Sequence, residues 1–424
     1  MKTVTSTLSA IFFQFAGAHS FLIGLLPFFI PVLLLQQGIS IQGIALFIAL
    51  TGIGFIISLT LWKKFYRHSH WRLIISLSFL IELLLVAALL FTENNYALLL
   101  CAALLNGAYN CFYWTTQRVL FSAMTAEHKA TQHASSYANQ TGKKFGNFQI
   151  LAVVLLKSGI ICGAFLLEED HRVLLLLVSA VISTACAVWF SRSGLIRNFS
   201  KASKLMPIEV SRSTPTKASV FHFKDEHNSA IIFYFDGIFL FLESYFWVAS
   251  LFFIAQGSIK ELGIVMVLLT VCLSVIFYLL KNRIDNIDHN KVYVCAVVFY
   301  ALSWWLRSVL GADLSNYWIY PAILLIAFLT SFFRLSFNKR FFDHAKQHQP
   351  LNYLLAKSYL SQMGIVIFYI GLALLASSFS DSQSSLSTIY LVLTPMALIY
   401  LAYSCPAEPV SKKVSSAEPR LKIS

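Results

Sequence analysis

An all-α polytopic membrane protein, with twelve transmembrane helices in two six-helix pseudo-symmetric bundles, is the fold class this sequence predicts. Charged residues make up 12% of its 424 positions, about half the roughly 25% of soluble domains, while 58% are hydrophobic and phenylalanine alone occurs 37 times. No water-soluble fold hides that much apolar surface. Apolar runs of about 20 residues, each enough for a helix to cross a ~30 Å hydrocarbon core, recur from end to end. Between them the basic residues fall almost entirely on alternate loops.

Apolar runs bounded by polar clusters place helices at 8–34, 41–62, 72–91, 96–120, 148–167, 172–191, 230–255, 262–280, 292–310, 317–337, 358–379 and 384–404. The first is too long for the apolar core of a secretory signal, and no small-residue cleavage site follows it, so it is expected to stay as a span. With the N-terminus in the cytoplasm, 28 of the 32 Lys and Arg residues lie on the inner side, among them Lys63, Lys64, Arg67, Arg72, Arg118, Lys129, Arg334, Lys339, Arg340 and Lys357. Lys157, Arg172, Lys260 and Arg307 are the exceptions. That asymmetry predicts a multi-pass protein of the cell inner membrane with both termini cytoplasmic. It also accounts for the net charge of +13 without any nucleic-acid partner. The one long polar stretch, rich in Ser and Lys with Pro207 and Pro215, divides the chain into an N-terminal six-helix bundle (1–191), a cytoplasmic linker (192–229), a C-terminal six-helix bundle (230–404) and a cytoplasmic tail (405–424).

Several function classes drop away. The seven cysteines are scattered through apolar runs with no C-x-x-C pair, and His128, His133, His344 and His348 have no Cys or carboxylate at ligand spacing, so no metal is expected. No phosphate-binding G-x-x-x-x-G-K-[ST] loop is present, which removes ATP drive from this chain, and no cofactor is expected. A membrane enzyme would need a nucleophile, base or metal cluster near one interface, and none is visible; the chain is read as not an enzyme.

The two halves echo one another. Phe21 to Leu26, Gln37-Gly38, Gly43 and the run ending Leu61-Trp62-Lys63-Lys64 parallel Phe239 to Leu242, Gln256-Gly257, Gly263 and the run ending Leu279-Leu280-Lys281-Asn282, at an offset close to 219 residues. Phe112-Tyr113 before one basic loop matches Phe332-Phe333 before another. Twelve spans, a central linker and a parallel repeat resemble the major facilitator superfamily, a resemblance that implies alternating access around a site between the halves. Between spans two and three that family carries a Gly-x-x-x-Asp-Arg-x-Gly-Arg signature; this chain has the basic run Leu61 to Arg72 without the Asp or the glycines. The Arg of span four and the Gly-Pro pair of span five typical of drug antiporters are replaced by Leu105-Asn106-Gly107-Ala108 and Gly159-Ile160-Ile161-Cys162-Gly163, which argues against that branch. The opening Gly24 to Ser40 is more similar to oligosaccharide and aromatic-acid symporters.

A charge at the bilayer centre costs about 2.5–3.5 kcal/mol on insertion scales, so intramembrane polar residues are the site candidates. Asp236, Glu243 and Trp247 on span seven are spaced to share one helical face. Either carboxylate would take a coupling proton or a cationic group, or else sit in a fixed ion pair between helices. Lys157, mid-span five, would attract an anion, pair with Glu243 in one conformation, or stay locked to Glu82. His19, mid-span one, is a proton site or a packed neutral ring. Asn106, Asn110, Tyr113 and Gln117 recur at four, three and four residues on span four and predict a polar stripe, lining a cavity or joining helices. Arg118 and Arg334 sit toward the inner ends of spans four and ten, as gate or anion-binding residues or as snorkelling anchors. Glu82 and Arg307 are read as structural. In the resembled family spans one, four, seven and ten line the central cavity, which implies that His19, the stripe, the Asp236/Glu243 face and Arg334 converge there.

The expectation is a secondary active transporter that moves a small polar organic solute by alternating access, coupled to protons as a symporter and not driven by ATP, acting as a monomer with substrate, protons and the lipid bilayer as its partners. An efflux carrier of a drug, metabolite or siderophore, and a transport-deficient sensor or scaffold, are the alternatives.

Overall fold

The computed structural model describes residues 2–92, 95–127, 134–194, 196, 225–284, 289–310, 316–347, 350–376 and 382–403. Among these, twelve helices are long and apolar enough to cross a membrane, and no strand occurs. Spans one to six are Leu8–Leu25, Ile41–Arg67, Trp71–Leu90, Tyr96–Ser122, Ile150–Glu168 and Arg172–Arg192. Spans seven to twelve are Ser229–Ile254, Ile259–Ile276, Asn290–Val309, Trp318–Ala345, Leu351–Leu375 and Ser385–Ala402. The protein is thus multi-pass and all-α. Residues 197–224 of the linker, the tail from 404, and Lys129, His128, His133 and His348 lie outside the described residues. We call the side on which spans two, four and six end the basic face.

The three largest boundary differences from the sequence expectation are at spans one, ten and eleven, and proline explains two. Span one stops at Leu25 and continues as a tight turn, Pro27–Phe29, and a short helix, Ile30–Gln36, because Pro27 and Pro31 cannot donate into a continuing helical ladder. Span eleven starts earlier than expected, in a helix opening at Pro350, where the missing N–H is harmless at a first helical position. Lys357 therefore sits in the membrane helix rather than in a loop. Span ten is longer than expected, running to Ala345 inside a helix that ends at Gln347.

Spans one and five, two and four, three and six, seven and eleven, and nine and twelve pack together, while two with eleven and five with eight join the first six spans to the last six. Glycine sets the closest approaches. A Cβ added at Gly159 would lie 2.1 Å from the carbonyl oxygen of Phe21, and one at Gly24 2.2 Å from that of Leu156. Spans seven and eleven meet in the same way, with Gly364 against the Tyr234 carbonyl at 2.2 Å and Gly237 against that of Ser361 at 2.4 Å. Small residues let backbones touch where lipid supplies no hydrophobic drive for association. The repeated Gln-Gly pair also has one structural meaning, since Gly38 and Gly257 take φ values of +76° and +81° and each terminates a helix.

Overpacking a close contact costs typically about 1–3 kcal/mol. Gly159→Val is expected to lower the thermal unfolding midpoint in detergent, whereas Gly371→Ala, with nothing within 4 Å of its added carbon, leaves it unchanged or raises it.

Candidate functional site

Span seven carries Asp236 and Glu243 two helical turns apart, about 10 Å along its axis. Arg334 of span ten spans that gap. Its Nε and Nη2 each donate to Glu243 at 3.0 Å, to Oε2 and Oε1 in turn, while Nη1 reaches Asp236 Oδ1 at 2.6 Å. The planar guanidinium alone among side chains offers such a fork with a further donor to spare. Lys357 of span eleven closes the other end, its Nζ 3.0 Å from Asp236 Oδ2. Tyr300 of span nine donates to Glu243 at 2.5 Å, and Tyr400 of span twelve to Asp236 at 3.0 Å. Asp236 is fully buried, and only the side chains of Arg334 and Glu243, each 16% exposed, are open to solvent to that extent.

Aromatic rings bed this ladder. Tyr300 stacks on Phe333 with centroids 4.0 Å apart, and the Arg334 guanidinium lies 5.5 and 5.6 Å from those two rings. Lys357 lies 4.2 Å from Phe341 and 5.0 Å from Phe337. Above Glu243, towards the opposite face, Arg307 is held between Trp304 at 4.4 Å and Trp247 at 4.9 Å. Its Nη1 and Nη2 donate to the hydroxyls of Ser303 and Thr330 at 3.0 and 2.8 Å. Such ring faces attract desolvated cations.

Of the residues singled out in the sequence, Asp236, Glu243 and Arg334 come together, and Trp247 joins them through Arg307. The polar stripe of span four does not form as one face. The helix widens into a π-bulge over Cys111–Thr115, and one extra residue in a turn rotates everything beyond it. Tyr113 is buried against His19, ring centroids 4.6 Å apart. Asn106 instead points across to span seven and donates to the Tyr245 hydroxyl at 2.8 Å. Asn110 bonds locally to Asn106 and accepts from Trp114, and Gln117 is half-buried without a side-chain hydrogen bond to a described residue. His19 is fully buried, stacked on Phe79 at 4.0 Å and 2.8 Å from Ser78 Oγ. Lys157 is half-buried and meets neither Glu82 nor Glu243; no ion pair or hydrogen bond joins its side chain to a described residue. Glu82 accepts from Ser183 at 2.5 Å.

The ladder's ion pairs and hydrogen bonds all run among spans seven, nine, ten, eleven and twelve, and the first six spans meet the last six at several points. On the basic face Phe121 meets Phe342 with centroids 5.1 Å apart, and Lys63 lies 5.3 Å from the Tyr359 ring. On the opposite face Glu168, ending span five, caps span eight by accepting from Ile259 N at 2.9 Å and from Ser258 Oγ at 3.0 Å. Among the described residues no group of three or more His, Cys, Asp or Glu is placed to hold a metal.

Sequence reasoning missed Lys357, Tyr300, Tyr400 and the position of Arg307. Pro350 was the available signal for Lys357, because a helix opening there carries the lysine two turns inside. The tyrosines gave none, since aromatic residues crowd every span.

Removing one partner of a buried pair leaves a stranded charge and costs about 3–5 kcal/mol. Arg334→Met is expected to destabilise most, and Arg334→Lys less, a single ammonium being unable to serve both acids. Asp236→Asn with Lys357→Met is expected to cost less than the two single changes added, as read by thermal unfolding of all four proteins.

No protein-family model matches this sequence, and no curated protein sequence matches it. Solved structures do. The nucleoside transporter NupG superposes with a TM-score of 0.60 at 13% identity, over 94% of this chain and 97% of its own. A D-xylose-proton symporter gives 0.59 at 11% identity over 94% and 96%, and the POT family transporter PepTSo 0.52 at 12% over 95% and 98%. Identity this low speaks for architecture alone: over nearly its whole length the chain shares the fold of these three structures.

Proposed function

We propose that the protein is a secondary active transporter that moves a small polar organic solute across the inner membrane by alternating access, coupled to protons. The ladder carries this reading. Charged groups are costly inside a bilayer, and here three helices of one half gather four of them within their spans, with tyrosines from two more helices as partners. The likeness to a nucleoside transporter and a proton symporter supports the same class. Residues 1–191 and 230–404 act as two bundles joined by the linker 192–229, with the basic face cytoplasmic and the protein a monomer.

In this reading Glu243 and Arg334, the partly exposed members, meet the solute, with Asn106 and Trp247 at the edge of the site and Asp236 anchored beneath. Glu243 is the coupling carboxylate. Neutralising it breaks the fork with Arg334 as protonation would. The degenerate loop between spans two and three favours a rival, a solute sensor that binds without transport.

Reconstitution separates them. In proteoliposomes Glu243→Gln is expected to abolish uphill uptake driven by a proton gradient. Solute binding by the wild-type protein without any counterflow would instead establish the sensor.

A further inference from the structure

We infer that the solute is an organic anion, drawn to a site whose fixed charges leave a positive excess; the inference rests on the carrier reading and names its substrate class. Around the ladder the described residues set four cations, Arg118, Arg307, Arg334 and Lys357, against two carboxylates, Asp236 and Glu243. Both carboxylates are already engaged. Asp236 faces Arg334, Lys357 and Tyr400, and Glu243 faces Arg334 and Tyr300.

Arg307 has no ion pair of its own: Glu243 lies near enough to act on it, but both oxygens of that carboxylate are taken by Arg334 and Tyr300. Only 3% exposed, it has two neutral hydroxyls and two indole faces as partners, no described carboxylate within ion-pair distance, and a buried Nε with no acceptor. It also points the wrong way for an anchor. The residue lies one turn from the end of span nine, yet its hydrogen bonds run back towards Ser303 and mid-span Thr330, away from the nearby surface to which a snorkelling arginine would extend. Buried charge without a counter-ion is unfavourable unless something supplies one. From behind Glu243 and Trp247, in a medium of low dielectric, that charge acts on whatever occupies the site.

Arg118 supplies the second excess charge from the other half of the chain, on a helical stretch, Thr116–Glu127, that packs against the helix Pro350–Ala376 carrying Lys357, so each half brings a cation to their junction. An anionic group between them, a carboxylate or a phosphate, would neutralise the excess and draw the halves together. Arg307 is thus a positioning charge and Arg334 the contact.

The test uses isosteric pairs that differ in charge: benzoate with benzamide, succinate with succinamide, and glucose 6-phosphate with glucose. Each is added to the purified full-length protein, read by thermal unfolding, and offered to proteoliposomes as a labelled solute. At least one anion is expected to raise the midpoint and exchange ten-fold or more faster than its neutral twin. Arg307→Gln is expected to erase that preference and Arg307→Lys to keep it, which separates lost charge from lost packing. Neutral members acting as well as the anions, no response to any anion, or a preference intact in a folded Arg307→Gln protein would each overturn the inference. Exchange of the neutral members would still leave a carrier, whereas anion binding without exchange of any solute would remove the carrier and keep the anion site.

Discussion

One guanidinium organises half of this molecule. Arg334 holds two carboxylates that lie two turns apart on a neighbouring helix, and each carboxylate draws in a further helix through a lysine or a tyrosine. Water would make these contacts weak and replaceable. Inside a bilayer each charge left unpaired carries a desolvation cost that its partners must offset, so spans seven, nine, ten, eleven and twelve are fixed in register by where those six groups meet. The aromatic bed serves the same end, because ring faces tolerate cations where lipid does not.

The first six spans are built to the same backbone plan but with different chemistry. Gly24 and Gly159 bring spans one and five together as Gly237 and Gly364 bring seven and eleven together. In place of an ion ladder, the buried polar contacts between these helices among the described residues are neutral or singly charged: His19 with Ser78, Asn106 with Thr51, Glu82 with Ser183. Repeat symmetry therefore governs helix packing, which depends on small residues, and not the site, which depends on charge. The ion ladder thus belongs to one half of a scaffold whose close helix contacts are shared by both.

Much of this was legible in the sequence, for identifiable reasons. Hydropathy located all twelve spans because the requirement to cover backbone polar groups in lipid leaves only long apolar helices. Asp236 and Glu243 stood out because acids are rare in such helices, and their spacing of seven put them on one face. What failed had local causes. The spacing rule for span four assumes 3.6 residues per turn, and the bulge at Cys111–Thr115 breaks that assumption, turning Tyr113 into the packing around His19. Lys357 passed for a loop residue because polar neighbours hid the helix start at Pro350. Arg307 passed for structural because position along a helix says nothing about which way a long side chain bends.

The two carboxylates are not interchangeable parts. Asp236 has three partners from three helices and no exposure, so freeing it would require spans ten, eleven and twelve to yield together. Glu243 is held by one cation and one phenol, sits beside a second π-bulge at Leu242–Phe246, and keeps part of its surface open. A helix turn that already departs from the regular ladder can shift without breaking a full set of backbone bonds. Of the two carboxylates Glu243 is therefore the one held loosely enough to change partner, with Asp236 as the fixed post beside Arg334.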